Sequence, residues 1–490
     1  VQNKAHYFSR YSSRYSWLVS LSVFCSLSAL FLPSFTHNDA AEAVTSTQAE
    51  HPLLKQTREY VSAFEYKKAL VSVNKLLKIQ PQNVAGLILR SEIRMQVFLG
   101  NQADTIDEKA MALVESQALA DLALAQKREP KNSAVYAGRA DLYKSTFKNK
   151  KAFAEIQKAL QLAPDNPEYY LFQASIASAY DVKQYWQGAK GLDKLVALQP
   201  ENFEHHYMRG KYYQVQGIDL SKPIKGEYGL ESLPNIADNG ILLIQLKAFN
   251  RALELNPDHS ESLACRAQTH LDMKNYAAAL ADLAHLIAIL KPSETNRQSL
   301  ESEYRFQRVE VLFKQKNYSE ALAELEKLRV LKPEDRSSDY LPKEILNWQA
   351  LIHFWNGQYA LAEQDYLAKI KASPEDPDNW PYLMYAQLWQ KKYKDVIKSY
   401  SQSQSCYGCV IPLAHAEWFT GEKQSATQNY LSMSTYPLLE KFYFQLIPGS
   451  SLNVPGKEVL LKDFQIMEHL GWDVSVLAQL RSQIEKAIPF

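Results

Sequence analysis

A block of small, aromatic and proline residues returns about every 34 to 41 positions between Val61 and Pro374. Tyr318-x2-Ala321-x11-Pro333 and Tyr359-x2-Ala362-x11-Pro374 are copies in nearly the same phase, and Tyr66-x2-Ala69-x11-Pro81 is another, about 250 residues upstream. A regular period of this length means one supersecondary unit stacked on itself, each copy touching only its neighbours. It argues against an enzyme core wrapped round one hydrophobic centre. It also frees the 490-residue chain from the usual expectation of two to four globular domains. Glycine is scarce at 16 residues, whereas Ala, Leu, Gln, Lys and Glu abound, so the repeating unit reads as helical.

Segments ending at Pro81, Pro130, Pro164, Pro200, Pro257, Pro292, Pro333 and Pro374 share one design. An apolar-periodic helix leads through a short turn to a second amphipathic helix, which the proline stops. Asn or Asp follows closely, as in Pro81-Gln-Asn83, Pro164-Asp165, Pro200-Glu-Asn202, Pro257-Asp258 and Pro333-Glu-Asp335, and can cap the next helix. The pairs Ala140 with Ala152, Ala267 with Ala279 and Ala350 with Ala362 let two helices approach closely.

This spacing resembles the tetratricopeptide repeat, a 34-residue helix–turn–helix. Ser133 to Asn166 is the cleanest copy, carrying Ala140, Tyr143, Ala152, Ala159 and Pro164 at the pattern's places, and Lys343 to Asp376 matches with Ala350, Tyr359, Ala362, Tyr366 and Pro374. Weaker copies carry Tyr393 with Tyr400, and Ala414 with Gly421, Ala426 and Tyr430. The resemblance covers residues 51–435 and implies an all-α solenoid of about ten helix–turn–helix repeats; an unrelated helical bundle is the alternative. Gly188 departs from the pattern by replacing a seam alanine, and insertions lie near Gly100 to Met111 and Ile218 to Gly240.

Residues 1–43 read as a signal peptide or N-terminal membrane anchor. Lys4, Arg10 and Arg14 precede an apolar run from Trp17 to Leu32, and Ala41-Glu42-Ala43 has the small-x-small form that signal peptidases cut. As a helix the run reaches about 24 Å, short of the roughly 30 Å of a bilayer core. A removed signal is favoured, and a retained anchor stays open because the polar gap before Ala43 is long. Either outcome places the repeats outside the cytoplasm. The one sequon, Asn317-Tyr318-Ser319, sits inside a repeat turn, which favours a bacterial periplasm, soluble or tethered to the inner membrane, over a secretory pathway. Residues 450–490 form two further helical stretches expected to cap the stack.

In the resembled family the first helices line a concave groove that takes an extended peptide. Carried over by position, that wall holds Tyr170, Gln173 and Tyr180, then Glu204, Tyr207, Lys211 and Gln214, then Phe306, Glu310 and Phe313. It continues through Asn347, Phe354 and Trp355, then Tyr385 and Trp389, then His415 and Trp418. Such aromatics anchor partners; for any single one, packing between repeats is the favoured reading, whereas the set as a whole is expected to keep some exposure in the groove. The Lys and Asn clamp with which one subclass grips chaperone tails is missing, since the corresponding places hold Ala137 with Asp141, Gln173 with Ala177, and Tyr207 with Lys211.

Cys406-Tyr407-Gly408-Cys409 is the one motif with chemical potential. No strand–helix context surrounds it, and only His415 stands near as a further metal ligand, so a local disulfide is favoured over free thiols and over metal or redox work. Cys265 reads as a core residue. His205 and His206 are consecutive on a helix and diverge, and HExxH, GxSxG, GxGxxG and phosphate-loop motifs are absent. No catalysis and no cofactor are expected. With 55 basic and 54 acidic residues, net charge is +1, so nothing points to nucleic acid, although the balance can conceal a basic stripe. The expected function is a non-catalytic exported scaffold that binds a protein or peptide in envelope complex assembly and meets the membrane only through its N-terminal segment. The alternatives are a glycan-binding or polysaccharide-export accessory, and a thiol–disulfide protein.

Overall fold

The computed structural model describes residues 50–100, 107–179, 182, 184–215, 240–291, 297–331, 340–374, 376–403, 406–433 and 478. The expected signal or anchor at 1–43 lies outside the described residues, as do Tyr180 and all but one residue of the expected C-terminal caps. Twenty α-helices run through the described residues, with no strand among them. They form ten hairpins. The first five are α1 (Pro52–Ser62) with α2 (Tyr66–Ile79), α3 (Val84–Leu99) with α4 (Glu108–Arg128), α5 (Ser133–Ser145) with α6 (Asn149–Leu162), α7 (Pro167–Ala177) with α8 (Tyr185–Leu198), and α9 (Phe203–Val215) with α10 (Gly240–Leu255). Then come α11 (Ser260–Asp272) with α12 (Tyr276–Ile289), α13 (Arg297–Lys314) with α14 (Tyr318–Arg329), α15 (Tyr340–Trp355) with α16 (Tyr359–Ala372), α17 (Asn379–Trp389) with α18 (Tyr393–Gln402), and α19 (Val410–Thr420) with α20 (Lys423–Met433). The all-α repeat architecture expected from the proline period is what the chain adopts. Residues 1–282 and 283–490 form two compact units, the division falling within α12.

Local chemistry explains the helix boundaries. Gln80, Glu129, Ala163, Gln199 and Ser373 each precede a proline, and each ends its helix with φ between −126° and −145° and ψ between 69° and 77°. The proline ring bars its predecessor from helical backbone, so one residue type sets five stops. Two residues beyond the proline, the side chains of Asn83, Asn132, Asn166 and Asn202 accept from the backbone N–H of Gly86, Ala134, Glu168 and Glu204. His259 does the same for Ser262. Asp165 and Asp258, which the sequence offered as caps, stand one residue short, and the cap falls to their successors.

The hairpin turns are equally regular. Phe64, Phe147, Lys274, Lys316, Gly357, Lys391 and Gly421 occupy corresponding places between the paired helices, and every one has φ between 58° and 99°. In α11–α12 the three turn residues are Met273, Lys274 and Asn275, and Asn275 N–H donates back to the His270 carbonyl. Reversal in so few residues demands one left-handed residue.

Between paired helices runs the small-residue seam. Ala69, Ala140, Ala152, Ala279, Ala321, Ala350, Ala362, Ala414 and Ala426 are fully buried. Leu76, Ile93, Leu122 and Ile156 fill the spaces around the seam in the first unit, each burial contributing about 1.5–3 kcal/mol. Gly188 breaks the alanine rule for a visible reason. The Tyr212 hydroxyl crosses it to donate to the Tyr185 carbonyl at 3.0 Å. A Cβ at 188 would lie 2.7 Å from Tyr212 Cζ and 2.9 Å from Ala177 Cβ.

A polar latch across the hairpin also repeats. Arg90 donates to both carboxylate oxygens of Asp121 at 2.9 and 2.6 Å and to Asn74 of the preceding hairpin at 3.3 Å. Arg266 repeats this with Asp282 at 3.0 and 2.6 Å and Asn250 at 2.9 Å. Arg139 pairs with Glu155 at 3.2 Å, and Ser72 donates to Gln56. One guanidinium thus ties a hairpin's two helices together and, twice, to the helix before them.

Candidate ligand groove

A hairpin's second helix runs antiparallel to its first, and the next first helix antiparallel to that, so first helices are mutually parallel. Equivalent positions on α1, α3, α5 and α7 therefore recur along one wall. Of the residues carried over to first-helix positions, Tyr170, Lys211 and Gln214 in the first unit and Phe313, Asn347 and Trp389 in the second keep partial exposure. Several are already engaged. Tyr170 donates to the Pro164 carbonyl at 2.8 Å, and Lys211 Nζ donates to the Tyr207 hydroxyl at 3.0 Å. Gln214 Nε2 donates to the Cys265 carbonyl at 3.2 Å, and Asn347 to Glu344.

Five expected groove residues are instead core. Phe354 is wholly buried, its ring meeting Trp355, Tyr359, Tyr366 and Tyr382 at centroid distances of 5.4 to 6.5 Å. Tyr385 and Trp418 are buried too. Tyr207 is shut between His259 and Phe249. Gln173 turns towards Gly191, so that a Cβ there would stand 2.8 Å from its Oε1. The physical reason is common to all five. A ring or amide on a first helix can turn into the inter-helix gap as easily as out of it, and in a stack that gap removes more apolar area from water. His415, also placed on that wall, is fully buried with its pKa depressed to about 3 by burial.

The aromatics of the second unit stack in pairs. Tyr366 lies against Tyr382 at 5.2 Å, Tyr393 against Phe419 at 4.9 Å and Tyr359 against Trp389 at 6.1 Å. Tyr359 thus covers one Trp389 face, and a sugar ring would need such a face open. Phe313 meets Tyr318 and Trp348 edge-on. Cys406 and Cys409 are bonded to each other and buried in an apolar cluster with Leu388, Leu413 and Ala416. Thiol exchange requires a sulfur that an attacking thiolate can reach. Cys265 is buried and lies outside the disulfide. Among the described residues no group of His, Cys, Asp and Glu could hold a metal ion.

What the sequence reading missed is a polar cluster on the first-helix wall of the first unit. Glu92 on α3 and Asp141 on α5 are equivalent residues of adjacent first helices, and Lys144 and Ser175 extend the row to α7. Burial, reinforced by Asp141, holds the Glu92 carboxyl well above its ordinary range. Burial lifts Asp141 to about 6 against the pull of Lys144. Burial also lowers Lys144, which Asp141 partly restores; its Nζ donates to Ser175 Oγ at 3.1 Å and lies 5.0 Å from the Phe172 ring centre. The signal lay in one register position repeated across units: two acids stand where a peptide-carboxylate clamp would need cations.

Family models describing a tetratricopeptide repeat match residues 133–166 and 248–281. No curated protein matches the sequence. Among solved structures, the human IFIT1 dimer is 13% identical with a TM-score of 0.36, the match covering 81% of this chain and 78% of that one. A Parabacteroides merdae tetratricopeptide repeat protein is 16% identical with a TM-score of 0.33, covering 60% and 98%. PilF of Pseudomonas aeruginosa is 11% identical with a TM-score of 0.35, covering 51% and 96%. The chain thus carries tetratricopeptide repeats, matched by family models at two stretches and continued by helices that share their prolines, caps, turns and seams, and such repeats imply a scaffold for protein–protein contact.

Proposed function

We propose that the chain is a non-catalytic exported scaffold whose first-helix wall holds an extended segment of a partner protein and so assembles or tethers an envelope complex. The observation that carries the reading is the juxtaposition of Glu92 and Asp141 on adjacent first helices, bordered by Lys144 and Ser175. Two half-buried carboxyl groups near one another gain most when a cation enters between them, because it offsets both desolvation and mutual repulsion. The favoured ligand is therefore an extended peptide presenting a lysine, an arginine or a free amino terminus at that point. Lys144, Ser175 and Gln214 offer side-chain polar groups to a peptide backbone farther along.

Calorimetric titration with lysine-bearing and norleucine-bearing versions of one extended peptide tests the site. The lysine form should bind at least tenfold tighter at pH 7.5, the Glu92→Gln, Asp141→Asn double variant should erase that preference, and the preference should fade as pH drops through about 6, where Asp141 takes up its proton. Equal binding of both peptides by the unaltered protein would reject the cation-binding groove.

A further inference from the structure

Among the described residues seven hairpins carry a left-handed residue in the turn, and two of these turns break the pattern of the other five. At the left-handed turn position five other hairpins place lysine or glycine, residues at home in water or in that backbone conformation. Phe64 and Phe147 occupy it in the first and third hairpins, each with φ 58° and exposures of 73% and 71%. A bulky side chain in left-handed backbone costs about 1–2 kcal/mol, and its exposed ring gains nothing from burial. Stability alone accounts for neither residue.

The two rings share a pair of nearby lysines and differ in one respect: Glu65 follows Phe64 and pairs with Lys68 at 2.7 Å, and the Phe64 ring meets Tyr66 edge-on at 6.3 Å. Three and four residues beyond each phenylalanine stand exposed lysines, Lys67 with Lys68 and Lys150 with Lys151. The second of each pair lies over a tyrosine of the preceding helix, Lys68 5.8 Å from the Tyr60 ring centre and Lys151 5.5 Å from that of Tyr143. Lys67 and Lys150 make no ion pair among the described residues. The third hairpin's turn, from Ser145 to Lys151, contains no acidic residue. The two turns belong to the first and third hairpins of the first unit, whose first helices run parallel, so both turns lie at the same end of their hairpins, with about 8–10 Å expected between packed helix axes.

We propose that this edge of the first unit docks onto an anionic lipid bilayer. An aromatic ring at a protruding tip enters the headgroup layer, and an adjacent lysine keeps its ammonium at the phosphates while its stem lies along the apolar boundary. Two such tips on one edge bind together where either alone is marginal. None of the described helices is long and apolar enough to cross a membrane, so this contact is a surface one. It is independent of the peptide groove, which lies along the first-helix wall.

The test is cosedimentation of the full chain with phosphatidylcholine vesicles and with the same vesicles carrying phosphatidylglycerol. The unaltered protein should favour the anionic vesicles. Phe64→Gly with Phe147→Gly should lower that partitioning on the order of tenfold, while the melting temperature stays level or rises, because glycine suits the backbone at both turns. A binding loss with retained melting temperature cannot come from unfolding. Lys67→Gln with Lys150→Gln should cost about fivefold for each lysine at low salt. Equal sedimentation of parent and variants would overturn the proposal, since the apolar run at 17–32, present in all, would then account for the binding. Tight binding of soluble polyglutamate without preference for anionic vesicles would overturn it in favour of an acidic protein partner.

Discussion

The two units build the same hairpin with different chemistry. In the first, guanidinium–carboxylate latches join the helices, as Arg90–Asp121, Arg139–Glu155 and Arg266–Asp282. In the second, arginine appears at this place once, where Arg305 and Arg308 reach Glu324. The later hairpins substitute amides, Gln349 donating to Asp365 at 2.7 Å and Ser399 to Gln387 at 2.9 Å. Finally the polarity reverses, and Glu417 accepts from Asn429 at 2.8 Å and Ser425 at 2.9 Å. As the charged latch fades, clustered aromatics centred on Phe354 and Tyr366 take over the space between hairpins. The comparison teaches that the repeat requires a partner pair across the hairpin, not a particular residue type. Half-buried ion pairs and ring stacks answer that requirement with different sensitivities to mutation and pH.

The largest effect should come from Phe354→Ala, which empties the centre of the second unit's aromatic cluster. A loss of about 3–5 kcal/mol is expected, with hydrogen-exchange protection falling first in α15 to α19 and scarcely in α1 to α8, because repeats couple mainly to their neighbours. Uniform loss of protection along the whole chain would break the distinction between the units. Asp121→Ala should follow at about 2–3 kcal/mol. It strands Arg90 and Arg94, both of which donate to that buried carboxylate, and its exchange losses should centre on α2 to α5. An Asp121→Ala effect below 0.5 kcal/mol, roughly the level of an exposed pair, would show that the latch is incidental.

The smallest of the three has the opposite sign. Asp141 carries a folded pKa of about 6, above its ordinary 3.8. The folded state therefore holds that proton more tightly than the unfolded chain does. Its contribution to stability is fully present below about pH 4 and is lost as pH rises through about 6. Asp141→Asn should accordingly stabilise the protein by about 1–2 kcal/mol at pH 7, discounted for the residue's partial solvent contact, and by nothing near pH 4. Denaturant midpoints at the two pH values measure it; a destabilised variant at pH 7 would mean that the attraction of Lys144 outweighs the desolvation of the carboxylate.

Much of the fold was legible because its determinants are local. A proline restricts its predecessor, and alanine at a fixed offset marks the seam, so Pro81, Pro164 and Ala152 spoke for themselves. The site was less legible. Asp141 stood in plain view as one of the residues replacing a carboxylate clamp, yet its meaning depended on Glu92, 49 residues earlier on the parallel helix. Nor does a first-helix register separate Trp389, partly exposed, from Tyr385, one turn earlier and buried. Both lie within the arc that a curved wall can present or cover, and the neighbouring hairpin decides which.

By itself the sequence determined the repeating unit, its stops and caps, and the need for closely approaching helices, since each follows from backbone sterics within a few residues. It also placed phenylalanine at two turns where the sixth to tenth hairpins carry lysine or glycine. Only the tertiary structure decided which aromatics became core, why glycine must stand under Tyr212, and which carboxyls lost their water. Those outcomes depend on what stacking brings within a few ångströms, and residues far apart in the chain supply it.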